Sequence, residues 1–406
     1  MKQTLWSKNF TIITLGTIVS SIGSVALNLV LSYVVFTETE STFLSGLFGS
    51  VSLIPSLLLP LIFSTYLDRI PRKPVIVILD FLSGCLMFIF GFYILKNNFN
   101  FIAYLLFSLL QSCISSVYSI AYESLYPHLI PEGMSQKGYT ISGMIYPTVT
   151  IIASPLGSLL YTKVGIAPII LIYGILLWIA SFFEHFIKIK EETSIHDFNF
   201  KQYLDDMKST ITYLKEEKGI RNIYLAMPFC QGFSEGSEPL IMAYFSTTPH
   251  LGITLYSFFT VAQFVGRFFG GIVNYKVEYP KDKRFSICYF VYIFYSLMDA
   301  ILLFLPYPFM LLDRAITGFC GINSATLRAS SVQNYIPDDK RAKLNAFMNV
   351  FTTLASMLFK LIFGALGEFI SIKTLMVVGA FATILVYHFF LYRNKEYIKP
   401  IYNNIY

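Results

Sequence analysis

Long apolar runs recur along the chain from Phe10 to Phe390, separated by short clusters of proline, glycine and charged residues. Each run is near or above the ~20 residues that an α-helix needs to cross a hydrocarbon layer of roughly 30 Å. Breaking the sequence at those clusters predicts helical spans near 10–36, 42–67, 74–95, 99–126, 137–162 and 166–187. A second set follows near 222–247, 252–275, 285–305, 307–334, 342–370 and 372–392. One or two such runs would be an anchor, whereas about twelve make the membrane domain the whole protein. The expected fold is therefore an all-α polytopic membrane protein. Residues 1–187 form one six-helix bundle, 222–406 form a second, and 188–221 are the polar linker between them. Within that linker Tyr203, Met207, Ile211 and Leu214 are spaced for one apolar stripe, which suits either a short helix on the membrane surface or a plain tether.

Polar positions inside the spans are periodic as well. In span 7, Gln231, Ser234, Glu235 and Glu238 share one helical face, with Gly232 and Gly236 beside it for close helix packing. Span 8 aligns Thr260, Gln263 and Arg267; span 10 aligns Arg314, Thr317, Gly321, Ser324 and Arg328; span 11 aligns Asn345, Asn349, Thr352, Ser356 and Lys360. The first half carries uncharged stripes, Thr17, Ser21, Ser24 and Asn28 in span 1 and Ser112, Ser115, Ser119 and Tyr122 in span 4, until Glu123 near an inner end. A charge at mid-bilayer costs ~2.5–3.5 kcal/mol on insertion scales, so the charges of the second half must face protein or water. Glu235, Glu238, Asp299 and Asp313 are balanced by Arg267, Arg314, Arg328 and Lys360, which predicts pairing. Asp313 beside Arg314 suits a rim ion pair as well as a site, and Asp299 suits a structural role.

Composition agrees with this solvent. The 406 residues are 55% hydrophobic and 13% charged, about half the charged share of an ordinary soluble domain. The net charge of +6 is unevenly placed: with the N-terminus inside, outer loops hold only Lys96, Lys163 and Lys373, while the linker and the other inner segments hold most of the rest. The excess is thus an inner-leaflet feature and gives no reason to expect nucleic acid. Both termini are expected in the cytoplasm. The first run, after Lys2 and Lys8, reads as a retained span because no small-residue cleavage site follows it. Cys85, Cys113, Cys230, Cys288 and Cys320 all fall in apolar segments, a placement unlike a disulfide framework or a cysteine metal site.

The halves echo each other: Leu129-Ile130-Pro131-Glu132 corresponds to Tyr335-Ile336-Pro337-Asp338, and the same offset of 206 lays Ser64 and Asp68 on Gly270 and Asn274. Two parallel six-span repeats joined by an inner loop are a transporter plan. The stretch Ser64-Thr65-Tyr66-Leu67-Asp68-Arg69-Ile70-Pro71-Arg72-Lys73 resembles the signature between spans 2 and 3 of the major facilitator superfamily, with Ser64 and Pro71 in place of its two glycines. The resemblance implies that Asp68, Arg69, Arg72 and Lys73 latch the inner ends of the two halves, with Asp80 as their structural partner, through charge-assisted hydrogen bonds that break on rocking. Pro131-Glu132 and Pro337-Asp338-Asp339-Lys340-Arg341-Ala342-Lys343 resemble the efflux-type branch that includes macrolide and siderophore exporters.

No phosphate cradle for ATP occurs: the nearest approach, Gly367 to Lys373-Thr374, has Ile372 where the second glycine belongs. His-Glu-x-x-His and Gly-x-Ser-x-Gly are also absent, so neither an enzyme nor a cofactor is expected. The resemblance implies a secondary transporter working by alternating access, with a small-molecule substrate and protons as partners in the bacterial cell membrane; a monomer is plausible. Proton-coupled export of a drug-like amphiphile or of an anionic metabolite such as a siderophore is the expected activity, with Glu235, Glu238, Arg267, Arg314 and Lys360 as substrate and coupling residues. A proton-coupled importer and a transporter-like sensor or scaffold remain alternatives.

Overall fold

The computed structural model describes residues 4–67, 70–189, 200–277 and 279–403, and those residues form helices and connections with no strand. Two compact units result. The first comprises residues 1–40, 51–198 and 248–257, and the second residues 41–50, 199–247 and 258–406.

In the first unit lie α1 (Lys8–Thr39), α3 (Ile54–Leu67), α4 (Arg72–Lys96), α5 (Phe101–Leu129), α6 (Ser135–Val164) and α7 (Ile166–Glu184). Local chemistry sets their ends. The Ser7 hydroxyl accepts the Phe10 N–H at the start of α1, and the Asn100 side chain accepts the Ala103 N–H at the start of α5, each satisfying a donor left over by the first turn. Gly165, at φ 77°, is the single residue between α6 and α7, a left-handed conformation that glycine adopts without a Cβ penalty. Helix α1 packs on α6 and α7, α4 on α7 and α5, and α3 on α5.

The second unit holds α2 (Thr42–Val51), α8 (Phe200–Glu216), α9 (Lys218–Thr247), most of α10 (Ile253–Lys276), α11 (Arg284–Ile301), α12 (Tyr307–Tyr335), α13 (Asp338–Gly367), α14 (Ile372–Val386) and α15 (Lys395–Asn403). Here α9 packs on α13, and α11 on α14 and α12. Taking the six predicted spans of each half in order, the first unit pairs its first with its fifth and its third with its sixth, and the second unit does the same. The repeat seen as an offset in sequence thus recurs as packing.

Among the described residues, nine helical segments are long and apolar enough to cross a membrane. Three more long helices, α9, α10 and α12, stand where the sequence predicts the remaining spans and carry Glu235, Glu238, Arg267, Asp313, Arg314 and Arg328. Large apolar side chains such as Ile89, Phe290 and Val378 point outward, as a lipid solvent permits.

The second span and the linker differ in part from the sequence reading. The span expected over 42–67 is two helices, α2 and α3, separated at Ser52 and Leu53 just before Pro55, whose ring removes a backbone donor. The polar 188–221 stretch contains α8, and Asn199 onward belongs to the second unit. The described side chains of α8 bury Thr210, Tyr213 and Leu214, while Ile211 of the expected stripe is exposed. Lys340 caps this packing with its ammonium 4.4 Å from the centre of the Tyr213 ring. Tyr203 and Met207 have side chains outside the described residues.

Candidate functional site

Helix α9 runs unbroken from Lys218 to Thr247 with Pro228 and Pro239 inside it. What distinguishes its middle is contact with α13. A Cβ on Gly236 would stand 2.8 Å from the Phe359 carbonyl carbon, and one on Gly232 would stand 3.1 Å from the Ala355 oxygen. Only glycine lets the two backbones meet this closely. Lys360, next to Phe359, is therefore delivered to the polar face of α9.

The Lys360 ammonium lies 3.3 Å from Glu235 Oε2 and 3.8 Å from Glu238 Oε2. Gln231, one turn earlier, donates from Nε2 to Glu235 Oε1 at 3.1 Å. From the other side α2 closes on the lysine: a Cβ on Gly46 would clash with the Lys360 carbonyl oxygen, and one on Gly49 would lie 3.2 Å from Lys360 Cδ. The lysine side chain is 11% exposed, against 36% for Glu235 and 60% for Glu238. Two carboxylates thus share one ammonium and, when both are ionised, carry one uncompensated negative charge. Such a cluster accepts one proton, or one positive group, and then becomes neutral.

The other expected site residues are placed elsewhere. Arg314 does not join the cluster: its Nη2 donates to Asp299 Oδ1 on α11 at 3.0 Å with both side chains buried, and its guanidinium lies over the Phe259 ring at 5.0 Å. Asp313, the neighbour in sequence, is buried with neither carboxyl oxygen hydrogen-bonded. Arg267 is exposed on α10 over the Phe264 ring, 5.3 Å from its centre, with no carboxylate in ion-pair range among the described residues.

Of the expected latch, Asp68 and Arg69 lie outside the described residues. Arg72 and Lys73 open α4. Asp80, two turns on, is buried, and among the described residues no ion pair joins it to Arg72 or Lys73; its charged neighbour is Glu184 of α7. Glu184 is absent from the sequence reading, although it is the one acid between Ile166 and Ile187. A second unforeseen carboxylate is Glu368, which follows α13. It accepts hydrogen bonds at one oxygen from Ser41 Oγ (2.7 Å), Thr42 Oγ1 (3.2 Å) and the Phe43 N–H (2.9 Å) at the start of α2.

The sequence matches the Major Facilitator Superfamily family model over residues 13–305 and 223–402. No curated protein matches it. Among solved structures, it is similar to the nucleoside transporter NupG, with a TM-score of 0.71 at 13% identity, over 95% of this chain and 99% of that one. It is also similar to a bacterial homologue of the iron transporter ferroportin in an inward-facing state, with a TM-score of 0.69 at 17% identity over 96% and 99% of the two chains. A bacterial homologue of the human lysosomal transporter Spinster, inward-facing and occupied, aligns with a TM-score of 0.65 at 12% identity over 100% and 98%. At these identities the likeness shows the fold.

Proposed function

The chain belongs to the major facilitator superfamily and is a transporter rather than an enzyme, and from that premise we propose that it is a proton-coupled exporter of a small organic compound. The proposed cargo is a drug-like amphiphile or an anionic metabolite, moved out of the cytoplasm across the cell membrane by alternating access. The carrying observation is the Glu235–Lys360–Glu238 cluster, two carboxylates on one ammonium with Glu238 largely exposed. A proton arriving on either carboxyl weakens its hold on Lys360, and movement of α13 against α9 changes the distance that sets proton affinity. Proton uptake and helix movement are then two readings of one equilibrium, as an antiporter requires. Arg267, exposed and free of a carboxylate partner among the described residues, is the cation offered to an anionic cargo. Arg72 and Lys73, with Asp68 and Arg69, supply the latch between conformations.

The test is transport by reconstituted protein in inverted and right-side-out vesicles under an imposed pH gradient. Glu235→Gln and Glu238→Gln each mimic a permanently protonated side chain. Gradient-driven export should be lost in the double variant and reduced in each single one, while binding or exchange of cargo survives. Unchanged gradient-driven transport in all three variants refutes the coupling assignment, and accumulation only in the opposite vesicle orientation makes the protein an importer.

A further inference from the structure

A different pair of acids lies in the first unit. Asp80 is the one acid of α4 and Glu184 the one acid of α7. The two helices pack along their length, and the Ser181 hydroxyl donates to the Val77 carbonyl and the Trp178 indole to the Phe81 carbonyl on this seam. Asp80 is 5% exposed and Glu184 is fully buried. Helix α5 adds Tyr118, whose hydroxyl donates to Glu184 Oε1 at 3.2 Å. Helix α1 closes the site with Gly16, where a Cβ would lie 3.3 Å from that same oxygen.

The remaining oxygens, Glu184 Oε2 and Asp80 Oδ2, are buried with no hydrogen-bond partner. Among the described residues, the ionisable groups that reach the pair are Tyr118 and Tyr122 from α5 and Tyr173 from α7, with none from α1 and no lysine, arginine or histidine. This is the opposite of the α9–α13 cluster, where an ammonium stands between the acids. Two ionised carboxylates here would each be desolvated and would also repel each other. A proton removes one charge and supplies an O–H donor to a pair of carboxyl groups of which two buried oxygens have no donor.

We propose that Asp80, Glu184 and Tyr118 form a second proton-binding site, in the first bundle, which carries one proton on its two carboxyl groups. The proton adds to a carboxylate oxygen as an O–H bond, leaving a single negative charge on the pair, stabilised by the Tyr118 hydroxyl. The assignment does not depend on the cargo or on the role of Glu235 and Glu238.

Infrared difference spectroscopy of the full chain in lipid nanodiscs, titrated through neutral and alkaline pH, tests it. The native protein should show a carboxylic-acid C=O band at neutral pH that disappears on alkalinisation. Asp80→Asn and Glu184→Gln should each move or weaken that band, and the double variant should lose it. Tyr118→Phe should keep the band but move its C=O frequency, because the hydrogen bond from the phenol to Glu184 Oε1 is lost. That variant and the native titration decide the matter even where a carboxyl variant folds poorly. Glu235→Gln/Glu238→Gln should leave the band in place, separating this site from the coupling cluster. Absence of the band in native protein, or its persistence in the Asp80→Asn/Glu184→Gln double variant, overturns the proposal. So does loss of the native band on adding sodium chloride or a divalent metal chloride at fixed pH, which would make the occupant a metal ion.

Discussion

Arg314 follows Asp313 in the chain, yet its guanidinium turns to Asp299, fifteen residues away on α11. Adjacent helical residues point about 100° apart, so proximity in sequence is no guide to pairing, whereas helix packing is. The consequence is measurable. Asp299→Asn leaves a buried guanidinium without its counter-charge and should cost about 3–5 kcal/mol, read as a large fall in melting temperature and in folded yield. Replacing both partners, Asp299→Leu with Arg314→Met, should recover most of that loss, since apolar pairs of similar volume often equal a buried ion pair. If Arg314 served cargo rather than the bundle, Asp299→Asn would melt like the native protein. The balance of four acids and four bases in the second-half spans made pairing legible at this scale, and Lys360 with Glu235 and Glu238 follows it. The choice of Asp299 for Arg314 and the absence of a hydrogen bond to Asp313 were not legible, because both depend on which helix lies opposite.

At the scale of elements, propensity and punctuation predict most boundaries, and the exceptions have local causes. Pro55 divides the second span, while Pro228 and Pro239 stay inside α9 because the close seam with α13 over Gly232 and Gly236 holds that helix together. Ends are where elements sense each other. Glu368 caps α2 from a separate helix, and the Phe43 N–H, then the Ser41 hydroxyl, hold its carboxyl below the usual carboxylate value. A lowered folded-state pKa means that the stabilisation is fully present above the unfolded value and is lost as pH falls through the folded one. Glu368→Gln should therefore lower the melting temperature at neutral pH, by the equivalent of about 1 kcal/mol or less for a solvent-facing cap. The gap between variant and native protein should close in acid, below the carboxylate range. A gap that stays constant with pH would show that the charge is not what holds the cap. No run of residues 41–43 or 366–370 signals this contact, because capping across chain-distant elements leaves no periodic pattern.

For the whole molecule, the repeated pairing of first with fifth and third with sixth helices carries one plan through both units, and the excess of lysine and arginine in alternate loops predicts an orientation for that plan. A reporter fused after Tyr406 should be active only in its cytoplasmic form, as should one inserted in the 188–221 linker; external activity at either point would change the number of crossings. Hydrophobic length, charge placement and the 206-residue echo were enough to determine a membrane protein of two six-helix repeats, because each is a property of the chain taken a window at a time. The tertiary structure decided what the charges do. It gave Lys360 to two glutamates, gave Arg314 to Asp299, withheld Arg267 from the α9–α13 cluster, and set Asp80 against Glu184 rather than beside Arg72 and Lys73. The physical reason is that an ion pair forms or fails over a few ångströms, while a shift of one residue along a helix turns a side chain through about 100°. Hydropathy is blind to that rotation; only the packing of glycine seams and neighbouring helices fixes it.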